Sequence, residues 1–322
     1  MNRLRSALFA LLVARLADPS LSAADGKPLK VFILAGQSNM EGQAVVDLGG
    51  KDYNDGRGTL TTLLADPIKG APYKHLKSAD GQWLVRPDVW IRYQREGAPL
   101  LAGPLSLGYS VYGDKHHFGT ELQFGYVVGE RFDQQVLLIK TAWGGKSLNG
   151  DFRPPSSGGT VGPYYTRMID EVRLALANLK QDFPTYKGGG YELAGFVWWH
   201  GWNDSCDDKA APVYDQNLAN LIRDVRKDLK APALPVVIGE LTGPWTKGGA
   251  PPAAAAVRKA QAAVAEMPEF KKNVLFVETS TFVRKAEDSP HPGHSHHEFG
   301  NAETYVLVGN ALAEGIKKLT KP

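Results

Sequence analysis

The chain has 322 residues, 43% of them hydrophobic and 22% charged, and 37 basic residues set against 34 acidic ones leave a formal net charge of +3. That interleaved near-balance has no dense lysine or arginine block, which argues against a nucleic-acid partner and for a mixed solvated surface. The lone cysteine, Cys206, rules out an intramolecular disulfide and reads as a packed side chain rather than a nucleophile.

The N-terminus, MNRLRSALFALLVARLADPSLSAADGKPLK, carries Arg3 and Arg5 ahead of an apolar run over residues 7–14, then the small residues Ser22, Ala23 and Ala24. This predicts a secretory signal peptide over residues 1–24 and a mature chain, 25–322, that works outside the cytoplasm, secreted or periplasmic. The apolar run is too short to span a bilayer, and no later segment approaches a span.

The mature chain opens with an apolar, β-branched run at 29–34 (LKVFIL), the signature of a strand buried on both faces. Residues 47–119 follow as a long irregular insertion rich in Gly, Pro and Asp, yet also in aromatics: Tyr53, Tyr73, Trp83, Trp90, Tyr93, Tyr109 and Tyr112. Such content argues against disorder, and an insertion of that length usually carries function. A helical pattern over 120–131 places Leu122, Phe124, Val127 and Val128 together, and 134–140 (QQVLLIK) reads as a second strand. Residues 164–180 repeat apolar positions near a 3.6 period, followed by a strand at 193–199 (LAGFVWW) and a helix at 213–229. A strand at 234–238, a helix at 253–266, a strand at 273–278, a histidine-bearing loop at 282–299 and a helix at 301–318 complete the chain. Strands alternating with amphipathic helices predict one α/β domain: a three-layer α/β/α arrangement around a five-stranded, mostly parallel sheet.

In such open sheets ligands bind beyond the carboxyl ends of the strands. The residues there are AGQSNMEG with Ser38, TAWGGKSL with Gly144 and Gly145, and HGWNDS with Asn203; HPGHSHHEFG, with four histidines, lies near the C-terminus. Each has an ordinary reading as a cap or turn. Together they form the parts list for acyl transfer to water. A serine hydroxyl needs a base, and a histidine can take its proton near neutral pH. Negative charge on the former carbonyl oxygen needs donors already aimed at it. The Ser38 and Gly145 N–H groups and the Asn203 amide are candidates.

GQSNM, the GGKSL turn, GWND, FGTEL at 118–122 and HHEFGNAETYVLVGNALAEGI resemble the SGNH hydrolase superfamily, most closely its sialate O-acetylesterase-like branch, which includes carbohydrate esterase family 6. The resemblance spans essentially the whole mature chain. It implies a flavodoxin-like SGNH hydrolase fold with Ser38 as nucleophile and an oxyanion hole of Ser38, Gly145 and Asn203. The spacing from His297 to Gly300, Ala302, Thr304 and Tyr305 matches the phrase that follows the family's catalytic histidine, which selects His297 over His291, His294 and His296. Two positions depart from the pattern: Trp202 stands where the branch often has Glu, and His294 stands where an acid usually precedes the histidine. Asp288 is the nearest upstream acid, three residues before His291, and is the candidate acidic member. Gln37 and Trp202 are read as substrate-binding positions.

Two rival readings remain open at this point. The histidines at 291, 294, 296 and 297, with Asp288, contain short metal-ligand spacings, although the segment is rich in Pro and Gly. The aromatics of 47–119 would also suit a non-catalytic carbohydrate-binding protein. The leading expectation is a serine esterase that removes O-acetyl groups from a carbohydrate, of the acetylxylan or sialate type. It needs no cofactor or metal and has neither nucleic acid nor membrane as partner.

Overall fold

The computed structural model describes residues 27–245 and 249–321, so the signal peptide predicted over residues 1–24 lies outside the described residues. The strands of the main sheet are β1 (Leu29–Gly36), β2 (Arg86–Gln94), β3 (Leu100–Leu105), β4 (Val136–Ala142), β5 (Tyr191–Trp199), β6 (Val236–Gly239) and β7 (Val274–Val277). They lie in the order β3-β2-β4-β1-β5-β6-β7. All neighbours pair in parallel except β2 and β3, which pair antiparallel.

The alternation of side chains along β1 explains the layers. Val31, Ile33 and Ala35 enter one core while Phe32 and Leu34 enter the other, and all five are buried. Fully burying such an aliphatic or aromatic side chain is worth about 1.5–3 kcal/mol, so a strand of this composition is stable only when covered on both faces. The helices that matter here are α1 (Ser38–Glu41), α2 (Glu121–Gly129), α3 (Pro163–Ala177), α4 (Trp202–Ser205), α5 (Tyr214–Asp228), α6 (Pro252–Ala265) and α7 (Ala302–Leu319). Buried residues of α3, α5 and α6 cover the first face, and those of α2 and α7 the second. This is the three-layer architecture expected.

The strand count differs from expectation. The sheet has seven strands rather than five, because the segment read as irregular, 47–119, contributes β2 and β3 as an antiparallel hairpin at one edge. Charge inside β2 hides it in the sequence. Arg92 is buried and paired with Glu171 at 2.8 Å and Asp182 at 2.7 Å. The same segment also supplies His117–Phe118, which pairs with Ala44–Val45.

The register brings the strand ends level. Gly36 lies opposite Ala142 and Trp199, and Trp199 lies opposite Gly239. After β1 the chain packs on the second face, through Met40, Leu60 and Leu63, whereas after the neighbouring β4 it crosses to the first through α3, so a crevice opens between their carboxyl ends. Gly36 is required there: a Cβ would stand 2.2 Å from the Trp199 carbonyl oxygen. Among the described residues no helix is long and apolar enough to cross a membrane.

Candidate active site

Ser38 opens α1 directly after the end of β1 and is partly exposed. Gln37, buried beside it, stitches β1 to the turn after β5. Its Oε1 accepts the N–H groups of Gly201 (3.1 Å) and Trp202 (3.0 Å), and its Nε2 donates to Asn203 Oδ1 at 2.9 Å. Gln37 is thus committed to protein partners and acts as a strut. Asn203 Nδ2 in turn donates to the Gly145 carbonyl at 3.1 Å, which leaves the second hydrogen of that amide free to meet a ligand.

The GGKSL turn packs on the nucleophile from the other side. A Cβ on Gly144 would lie 2.9 Å from Glu41 Oε2 and 3.5 Å from Ser38 Cβ. The Gly144 N–H is bonded to the Glu41 carboxylate. The next residue, Gly145, holds φ at +70°, and no hydrogen bond to its N–H is found among the described residues. Asp204 locks this turn to α4: it is fully buried and accepts the Leu148 and Asn149 N–H groups, each at 2.8 Å. Burial raises Asp204 to about 6 while those two donors pull it back.

Beneath Ser38 lies a buried charged network. Tyr93 donates to Glu41 Oε1 at 2.9 Å. Lys140 Nζ donates to the Glu41 and Tyr109 carbonyls and to Glu121 Oε2, at 2.7, 2.8 and 2.8 Å. Burial raises Glu41 to about 6, against the pull of the Tyr93 hydroxyl, Lys140 and the Gly144 N–H. The carbonyl of Glu41, the last residue of the nucleophile's short helix, is thereby pinned to the sheet.

His297 sits in the turn Ser295–Gly300, and Asn39 joins that turn to the nucleophile's helix. Asn39 Nδ2 donates to the His296 carbonyl at 3.3 Å, and the Tyr305 hydroxyl bonds both Asn39 Oδ1 (2.7 Å) and the His297 carbonyl (3.4 Å). Burial, then the neighbouring imidazoles of His296, His294 and His291, pushes His297 down to about 4. Its ring is therefore neutral across the physiological range, the state a base requires. His291 and His296 are also lowered, chiefly by burial; His291 packs on Tyr53 with ring centres 4.6 Å apart. The His294 carbonyl accepts the His297 and Phe299 N–H groups, both at 3.0 Å.

Asp288 stands apart from the histidines. Its side chain is exposed and makes no ion pair or hydrogen bond to a histidine among the described residues. It lines a separate cavity with Arg57, Lys69 and Arg284, because the short 3₁₀ turn at Ala286–Asp288 precedes the bend at Ser289–Pro290 that redirects the chain. The metal reading also loses its support: among the described residues no group of three or more His, Cys, Asp or Glu side chains is arranged to hold a metal ion.

Trp202 stacks nearly parallel on Trp245, with ring centres 5.3 Å apart, and reaches the His296 ring at 6.0 Å. The insertion supplies Tyr112, half exposed, whose hydroxyl donates to Gln43 Oε1 at 2.9 Å. Cys206 is exposed rather than packed. Asp204, Glu41 and Asn39 were not legible as site residues. The only sequence signal was their place inside the GWND and GQSNME motifs, since their partners lie far away in the chain.

A family described as carbohydrate esterase, sialic acid-specific acetylesterase, matches residues 28–317. A probable carbohydrate esterase of Arabidopsis thaliana is 27% identical over 210 residues, which cover 65% of this chain and 68% of that protein. Among solved structures, NanS superposes with a TM-score of 0.58 at 14% identity, over 91% of this chain and 98% of NanS. A carbohydrate acetylesterase from Xanthomonas citri superposes with a TM-score of 0.51 at 14% identity, over 88% of this chain and 56% of that one. At such identities the two superpositions speak for a common fold.

Proposed function

Because the chain belongs to the sialic acid-specific acetylesterase family of carbohydrate esterases and is a carboxylic ester hydrolase, we propose that it removes acetyl groups from the hydroxyls of an acetylated carbohydrate through a Ser38–His297 acyl-enzyme mechanism. The Ser38 hydroxyl attacks the acetyl carbonyl carbon as His297 takes its proton. The negative charge that develops on the carbonyl oxygen faces the Ser38 and Gly145 N–H groups and the free Asn203 amide hydrogen. The intermediate collapses and breaks the ester C–O bond, and His297 gives its proton to the departing sugar oxygen. Water, deprotonated by His297, then attacks the acetyl-serine; acetate leaves and Ser38 recovers its proton. No cofactor enters these steps.

One observation carries the reading. The Gln37–Asn203–Gly145 bonds and the Asn39 bond to the His296 carbonyl draw the separate motifs around one serine. The features of the first 24 residues support action outside the cytoplasm. The test is hydrolysis of a small chromogenic acetate ester by wild type, Ser38→Ala and His297→Ala. Both variants should lose roughly 10³-fold or more in kcat, and equal rates in all three would overturn the mechanism. Acetate release from a panel of acetylated polysaccharides identifies the sugar.

A further inference from the structure

The turn that carries His297 is held in a conformation its sequence does not favour. Glu298 and Phe299 both adopt left-handed backbone, at φ 52° and 57°, which residues other than glycine keep only when their surroundings enforce it. Glu298 is fully buried, and its Oε1 accepts Asn39 Nδ2 at 3.1 Å. The same Asn39 amide bonds the His296 carbonyl, and Tyr305 ties its other end to the His297 carbonyl. Asn39 is the residue after the nucleophile. Three consecutive residues around the base are therefore referenced, through one side chain, to Ser38.

We propose that Glu298 is a positioning residue of the esterase site: its buried carboxyl, bonded to Asn39, holds the turn so that His297 addresses Ser38. This inference rests on the Ser38–His297 reading above. The groups facing the carboxyl are Asn39 from α1, Thr242 beyond β6, Arg258 from α6 and Tyr305 from α7. Arg258 is partly neutralised by Glu240, 3.7 Å away. Burial raises Glu298 to about 7, with Thr242, Asn39 and Arg258 opposing. Its Oε2 is buried and makes no hydrogen bond of acceptable geometry, an environment that disfavours charge.

The experiment compares Glu298→Ala, Glu298→Gln and Asn39→Ala with wild type on a small chromogenic acetate ester, with kcat and KM separated and a thermal-unfolding check. Glu298→Ala should lower kcat roughly tenfold or more with a smaller change in KM, because the base is misplaced. Glu298→Gln retains an oxygen for Asn39 and should recover most of kcat. A folded Glu298→Ala with kcat within about twofold of wild type overturns the positioning role. Asn39→Ala removes the same bond from the other side; a folded Asn39→Ala with kcat within about twofold of wild type overturns the role likewise, and this variant carries the test if Glu298→Ala does not fold. Ser38→Ala is measured alongside: if it stays active, the catalytic reading fails, whereas an inactive Ser38→Ala with unaffected Glu298 variants removes only the present inference.

Discussion

The two flanks of Ser38 are built differently. On one, Gln37, Gly145, Asn203 and Asp204 occupy the ends of neighbouring strands or the turns directly after them, and their hydrogen bonds join residues that the sheet register already brings level. On the other, His297 lies on an irregular turn with left-handed backbone at Glu298 and Phe299, fastened to the sheet through Asn39 and Tyr305. The donor side inherits the rigidity of the β-sheet. The base side relies on a few side-chain bonds, and so has more ways to be mispositioned by a single substitution.

Three measurements break or sharpen that contrast. Asn203→Ala attacks the rigid flank at its side-chain donor and should reduce kcat about 10²–10³-fold, or about 3–4 kcal/mol of barrier, with little change in melting temperature; kcat within tenfold of wild type would move the oxyanion site elsewhere. The pH profile interrogates the other flank. Below its pKa the His297 imidazole is protonated and cannot take the Ser38 proton, so a value lowered to about 4 places the acid limb of kcat/KM near pH 4 rather than at the ordinary 6.5. A limb found at 6.5 would show that the base is solvated rather than buried. The smallest effect belongs to neither flank: Asp288→Asn should leave kcat/KM within about twofold, since its carboxylate faces a different cavity, and a hundredfold loss would restore it as the acidic partner.

The sequence conveyed the chemistry that is local and concealed the chemistry that is not. Five strands were readable because their faces are largely apolar, as at 31–34, where all four residues are buried. The edge hairpin escaped because Arg92 and the Gly103-Pro104 pair interrupt the pattern, although Arg92 is neutralised in the core by Glu171 and Asp182. Ser38, Gly145 and Asn203 were visible because strand ends are where such groups belong. The choice of Asp288 relied on distance along the chain, and the intervening turn sends it away. Asn39 and Glu298 bond across 259 residues, a pairing that no local spacing encodes. Buried lysine and glutamate give the same lesson: Lys140 and Glu121, which no motif pairs, meet at 2.8 Å with virtually no exposure.

The outermost strands also bear on how the protein behaves in concentrated solution. On one margin Pro104 withholds the amide that an incoming strand would grip, and on the other β7 offers only the four residues Val274–Val277. Neither border is a good template for adding another chain edge to edge. The sheet is thus protected against growing into fibrils, a safeguard built into the ladder itself and independent of the chemistry at its far end.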